Sequence, residues 1–266
     1  MSLLIITPTL NRSKFLDETI RSVKACAPGA EHILSAPAAE VASLQQQYPS
    51  IKVVADRGRA GGMYGAINAG ITAAESEWEW FTYINDDDLL YPGFSKMVKV
   101  HTTKHAAADF AHGVANHIDE TGKLLYPIPS CPRTSLLPYL IAAGVSPISQ
   151  QGMLIKRAVF ERIGTYDQSF KYAADMEFYC RLYAKGGTFS FYPIEVAGFR
   201  ICNEQLSQDI APFEKEKVTI RTKYFSQPSF INRAMAKLTF RIYNLPKYLI
   251  RLSRIGFKTS KSAFSS

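Results

Sequence analysis

A chain of 266 residues, 47% hydrophobic and 20% charged, can bury a sizeable core and shows no collagen, mucin or disorder bias. Its net charge of +8 is unevenly placed, because residues 217–266 hold eleven of the 31 Lys and Arg and none of the 23 Asp and Glu. The opening "MSLLIITPTLNR" lacks the basic region and cleavage site of a secretory leader. No run approaches the ~20 apolar residues of a spanning helix. Cys26, Cys131, Cys180 and Cys202 lack the spacing of a zinc site or disulfide framework, so a reducing cytoplasm is expected.

In chain order, "LLIITPTL" reads as a buried strand stopped by Pro8. Asn11 and Ser13 can cap a following helix whose first turn carries Asp17 and Glu18. "EHILSA" and "IKVVAD" read as strands separated by a polar helix from Ala39 to Gln47, "MYGAINAGITAAE" as a helix, and "WEWFTYIN" as a strand. Such alternation predicts an α/β fold with a mostly parallel sheet covered on both faces, where ligands bind beyond the carboxyl ends of the strands. From Pro127 to Pro147 a Pro- and Ser-rich loop or small excursion is expected. Then "GMLIKRAVFERIG" reads as strand and short helix, "AADMEFYCRLYAKGG" as a glycine-stopped helix, and "TFSFYPIEVAGFRI" as a strand. From Pro228 basic helices run to the end, interrupted by Pro246.

Asp86, Asp87 and Asp88 lie side by side at the end of the "WEWFTYIN" strand. Carboxylates this close raise one another's pKa unless a cation or solvent relieves them. A solvated turn is one reading. A site for Mg²⁺ or Mn²⁺, hard ions bound by one or two carboxylates together with substrate phosphates, is the other. Gly58, Gly61, Gly62, Gly65 and Gly70 fit neither standard phosphate-loop spacing, and serve tight turns and helix packing as readily as a diphosphate. His101, His105, His112 and His117 lack a carboxylate at useful spacing and are expected at the surface.

Five segments in order, "IITPTLNR", "ADRGRAGGMYGAINAGI", "INDDDLLYPG", "ISQQGMLIKRAVFERIGTYDQSF" and "AADMEFYCRL", resemble the inverting family 2 glycosyltransferases of GT-A fold, bacterial surface-polysaccharide type. The resemblance spans roughly residues 3–207 and implies a Rossmann-like, mostly parallel sheet flanked by helices. It also implies transfer of a sugar from a nucleotide-sugar donor, UDP-sugar first, to a glycan or lipid-linked saccharide in surface polysaccharide biosynthesis, with Mn²⁺ or Mg²⁺. Residue by residue it places Asp87 on the metal with Asp88 beside it. Donor contacts fall to Pro8, Thr9, Asn11, Arg12, Asp56, Gly62, Asn68 and Asp86, acceptor contacts to Gln150 and Gln151, and the catalytic base to Asp175. Two departures stand out. "HILSAPAAE" replaces an acidic loop, leaving Ser35 where an Asp is common, and "FRICNEQLS" places Cys202 where a histidine is common. The altered loop supports an alternative, a catalytically silent nucleotide- or glycan-binding scaffold.

A catalytic domain over 1–227 and a basic helical extension over 228–266 complete the expectation. In the extension Ile231, Met235, Leu238, Ile242, Leu245, Leu249 and Leu252 recur at three- and four-residue steps, with Arg and Lys on other faces. That pattern suits a helix lying on an anionic membrane surface, or one packing on the core with a solvated basic face. No nucleic-acid motif accompanies it.

Overall fold

The computed structural model describes residues 2–103, 108–202, 210–225 and 228–256. Four strands, β1 (Leu3–Pro8), β2 (Glu31–Pro37), β3 (Lys52–Asp56) and β4 (Trp80–Tyr83), pair in parallel, with β1 between β2 and β4. Helices α1 (Leu16–Cys26), α2 (Val41–Gln47) and α3 (Gly62–Ala73) make the crossovers. Every residue of β1 is buried, as an uninterrupted apolar, β-branched run requires when both sheet faces are covered. The helix after β1 begins later than expected. Phe15 occupies the cap position without a side-chain bond, while Ser13 turns to the acidic loop and Asn11 adopts a left-handed conformation (φ 57°).

The second half contributes β5 (Leu89–Leu90), α4 (Pro92–Thr102), β6 (Phe110–Ile118), β7 (Leu124–Pro127), α5 (Leu137–Ala142), β8 (Leu154–Lys156), α6 (Arg157–Ile163), α7 (Ala174–Ala184) and β9 (Phe189–Arg200). Three helices follow, α8 (Ile210–Tyr224), α9 (Phe230–Tyr243) and α10 (Leu245–Ile255). The strands form one mixed sheet in the order β3–β2–β1–β4–β8–β6–β9–β5, with β7 on the side of β6. β8 runs antiparallel to both β4 and β6, while β9 runs parallel to β6.

The sheet therefore has a parallel half joined through β8 to a mixed half. The loop after β4 emerges at that junction, flanked by β1 and reached from the far side by β9. The largest apolar cluster joins Tyr83 of β4 to Ala174 and Met176 of α7, and extends to Ala236 and Phe240 of α9.

Two expectations are revised here. The Pro-rich segment contains α5 as well as loop. The histidines are core residues: His101 is buried between the Tyr192 hydroxyl (2.9 Å) and the Ala108 carbonyl (3.0 Å), and His112 and His117 lie inside β6. Burial holds His112 and His117 near a pKa of about 4. His105 lies outside the described residues.

Candidate active site

The acidic loop is built from four directions. From β1, the Thr9 hydroxyl donates to Asp86 Oδ2 at 2.6 Å, and from the following turn Ser13 donates to the Asp86 carbonyl at 2.9 Å. From α1, Thr19 donates to the Asp88 carbonyl at 2.8 Å. From the end of β9, the Arg200 amide donates to Asp88 Oδ1 (2.9 Å) and its guanidinium to the Asp87 carbonyl (2.8 Å). The fourth support is Gln151, whose Nε2 donates to Asp88 Oδ2 at 3.1 Å. The next residue, Gly152, has φ +69°, and a Cβ there would stand 2.7 Å from Val196, so the turn that brings Gln151 in favours glycine at this position.

The three neighbouring aspartates thus differ. Asp86 and Asp87 are partly exposed, whereas Asp88 is fully buried, its two oxygens taken by Arg200, Gln151 and Asn85. This corrects the expectation that Asp88 faces the metal, because its carboxylate is turned into the protein and organises the loop. It likewise corrects Gln151, which is buried and braces Asp88 rather than facing an acceptor. Burial, opposed by the Thr9 bond and reinforced by the charge of Asp87, lifts Asp86 to about 6. Burial also pushes Asp88 well up, with the charge of Asp87 adding to it.

Arg200 is the residue that sequence reasoning passed over. It is completely buried, yet its guanidinium finds the carbonyls of Asp87, Asp119 (3.3 Å) and Glu120 (2.6 Å) and the Glu18 carboxylate (2.7 Å), and lies 4.1 Å over the Phe15 ring. The only sequence signal was its place in "FRIC", and there attention went to Cys202. The Cys202 thiol does sit within the field of Asp87, and burial followed by that charge raises it to about 11.

Asp175 stands in the first turn of α7, partly exposed, with the Tyr64 hydroxyl of α3 donating to its Oδ1 at 3.0 Å. Burial raises its pKa, against the bonds from the helix backbone and Tyr64. The backbone just before it is held from α8: Glu216 accepts from the amides of Lys171 (2.8 Å), Tyr172 (2.9 Å) and Ala173 (2.8 Å). Glu177, two residues on, is buried and bonded by Arg181 and Tyr224, so it is a structural carboxylate.

Other expected contacts separate into two groups. Pro8 and Thr9 are buried at the end of β1, Asn11 donates to Glu40 at 2.8 Å, and Arg12 is exposed beside them. Asp56 and Asn68 instead line a cleft of about 410 Å³ with Arg57, Gly65 and Gln168. Within it Asp56 is tied to the Gly58 amide and to Ser35, the residue that stands in the altered loop. Asn68 is corrected: its amide clamps the backbone of Tyr166 through both N–H (3.1 Å) and carbonyl (2.8 Å), leaving a structural role. Gly62 opens α3 with φ +67°, a conformation open to glycine. Gln150 has both side-chain amide atoms buried with no hydrogen-bond partner among the described residues.

No cluster of three or more His, Cys, Asp or Glu among the described residues could enclose a metal. Two adjacent, partly exposed carboxylates fit a hard divalent ion that takes its remaining ligands from phosphate and water. The raised pKa of Asp86 is the cost such an ion would relieve.

Residues 4–164 match the sequence model described as "Glycosyl transferase family 2". No curated protein sequence gives a significant match. Among solved structures, Staphylococcus aureus TarS 1–349 in complex with UDP-GlcNAc is similar at 16% identity and TM-score 0.61, over 96% of this chain and 80% of that one. The mannosyltransferase PcManGT from Pyrobaculum calidifontis, in complex with GDP-Man and Mn²⁺, gives 15% and 0.59 over 98% and 76%. Glucosyl-3-phosphoglycerate synthase from Mycobacterium tuberculosis, in complex with Mn²⁺, UDP and phosphoglyceric acid, gives 10% and 0.58 over 86% and 80%.

Proposed function

The chain belongs to glycosyl transferase family 2, with the GT-A fold, and from that premise we propose an inverting transfer from a nucleoside-diphosphate sugar, UDP-sugar first, to a glycan or lipid-linked saccharide. The reaction serves surface-polysaccharide assembly at the cytoplasmic face of the cell membrane. The attachment we propose is peripheral; no helix among the described residues is long and apolar enough to cross a membrane.

The observation that carries the reading is the acidic loop: Asp86 and Asp87 presented at the end of β4 beside Thr9, with Asp88 and Arg200 fixing the backbone between them. Asp87, with Asp86 next to it, would hold Mn²⁺ or Mg²⁺, which when bound neutralises the charge of the departing nucleoside diphosphate. Pro8, Thr9, Asn11, Arg12 and Gly62 would line the donor, and Asp56 its nucleoside side. Gln150, with its unpartnered amide, would meet acceptor hydroxyls.

Asp175 takes the acceptor hydroxyl proton as that oxygen attacks the anomeric carbon. Its raised pKa makes it a stronger base than an exposed aspartate, and the Tyr64 bond fixes which way the carboxylate faces. Hydrolysis of a panel of UDP- and GDP-sugars with Mn²⁺ tests the proposal. Turnover should be abolished in Asp87→Ala and strongly reduced in Asp175→Asn, whereas nucleotide binding without turnover by the wild type would favour the silent scaffold.

A further inference from the structure

Ten of the thirteen large hydrophobic side chains exposed among the described residues belong to α9 and α10. Six of them, Ile231, Met235, Leu238, Ile242, Leu245 and Leu249, follow one another at three- or four-residue steps, 52% to 69% exposed, and continue across the joint between the helices. That is one apolar stripe shared by two helices, and a soluble chain gains nothing by leaving it in water. The opposite side of α9 is satisfied: Ala236 and Phe240 are buried in the core.

The stripe is not a loose tail. At the joint, Asn244 is fully buried, accepting from the Ser130 amide (2.9 Å) and donating to the carbonyls of Ser130 (3.1 Å) and Phe240 (2.8 Å). Lys247 donates to the Ile128 carbonyl and the Ser130 hydroxyl, both at 2.9 Å, and Arg254 to the Leu124 carbonyl. These anchors lie on β7 and the segment after it. The turn at the other end of the same β6–β7 hairpin offers the Asp119 and Glu120 carbonyls to Arg200, which holds the acidic loop. One hairpin therefore connects the helix pair to the candidate site.

We propose that α9 and α10 form a preformed docking surface for an anionic lipid bilayer, with the stripe entering the interface and Lys237 and Arg241 beside it facing lipid headgroups. This names the surface for the membrane-side reading above and rests on that reading for its biological setting. Charge decides the occupant. The two helices together carry six basic residues and no acidic side chain, so a second copy on the same face would set cation against cation, and a symmetric pair could not relieve it. An anionic headgroup plane answers both halves of the surface at once. Each basic residue near such a plane adds about fivefold to partition, and salt reduces it.

The test is co-sedimentation of the full chain with phosphatidylcholine vesicles with and without phosphatidylglycerol. Binding is expected to need the anionic lipid and to weaken with salt. Ile242→Glu with Leu249→Glu, both at exposed positions, should lose at least about tenfold in binding. Arg241→Glu should lose anionic preference while retaining the folded state. Nucleotide-sugar hydrolysis without vesicles should stay unchanged in all of these, so a failed docking surface and a failed transferase reading give different results. Equal binding by wild type and the double variant, or a salt-resistant dimer in sedimentation velocity that the double variant dissolves, would overturn the proposal.

Discussion

Removing the Arg200 guanidinium should unlock the acidic loop. Arg200→Met keeps the aliphatic stem and discards the head, which leaves the carbonyls of Asp87, Asp119 and Glu120 without their donor. A buried acceptor left unmet costs about 1–3 kcal/mol, and because these carbonyl contacts are only partly buried, although Arg200 itself is fully so, the low end of each applies. The Glu18 partner is 42% exposed and recovers most of its solvation, so it adds little. The total is about 3–4 kcal/mol, close to what breaking one side of a buried charged pair costs. In a chain of this size each kcal/mol moves Tm by about 2–4 °C, so a fall near 10 °C is expected by calorimetry. Arg200→Lys should recover less than half, because an ammonium cannot fork to four acceptors. The thermal shift given by Mn²⁺ with UDP should fall in parallel. A Tm within about 2 °C of wild type with unchanged nucleotide binding would refute the view that Arg200 sets the loop.

Other consequences follow from α7, which carries the proposed base, and from the titration of the acidic loop. Glu216→Gln takes one negative charge and part of a three-amide clamp away from the start of α7, so it should cost about 1–3 kcal/mol. Because Glu216 raises the pKa of Asp175, the acid limb of the kcat profile should also move to lower pH, and a limb that stays in place would show that the charge does not reach the base. Asp86 is lifted to about 6 in the folded state from a usual 3.8, so without metal the folded chain binds more protons than the unfolded one between those values. Its contribution to stability is complete below about pH 4 and is lost as pH rises through 6, by up to about 3 kcal/mol. Asp86→Asn should therefore gain in Tm over wild type between pH 5 and 7, and parallel Tm curves would count against the assignment.

Much of this arrangement could be read from residue types in order. An apolar run ending in three aspartates, at the carboxyl end of a strand in an α/β alternation, locates the loop, and small residues before Asp175 mark a helix start. What local pattern cannot carry is direction. Asp86, Asp87 and Asp88 are chemically equal in sequence, and only the turn decides that the third points inward to Arg200, Gln151 and Asn85. Partners remote along the chain were equally hidden. Asn68 clamps Tyr166 from 98 residues away and Arg200 reaches Glu18 from 182, so neither could be placed from its neighbours. β6 went unread because His112, Gly113, Asn116 and His117 break its apolar pattern. They are covered because β9 runs along the strand, with β8 beside its start and β7 beside its end.

The central claim is that Asp87, beside Asp86, grips a divalent ion that in turn grips the donor's diphosphate. Calorimetric titration of Mn²⁺ in the presence and absence of UDP tests it directly. The account predicts weak binding of either alone, markedly tighter Mn²⁺ binding once UDP is present, and loss of that gain in Asp87→Asn but not in the exposed tail variant Ile242→Glu. UDP affinity that ignores Mn²⁺, or coupling that survives Asp87→Asn intact, would contradict it.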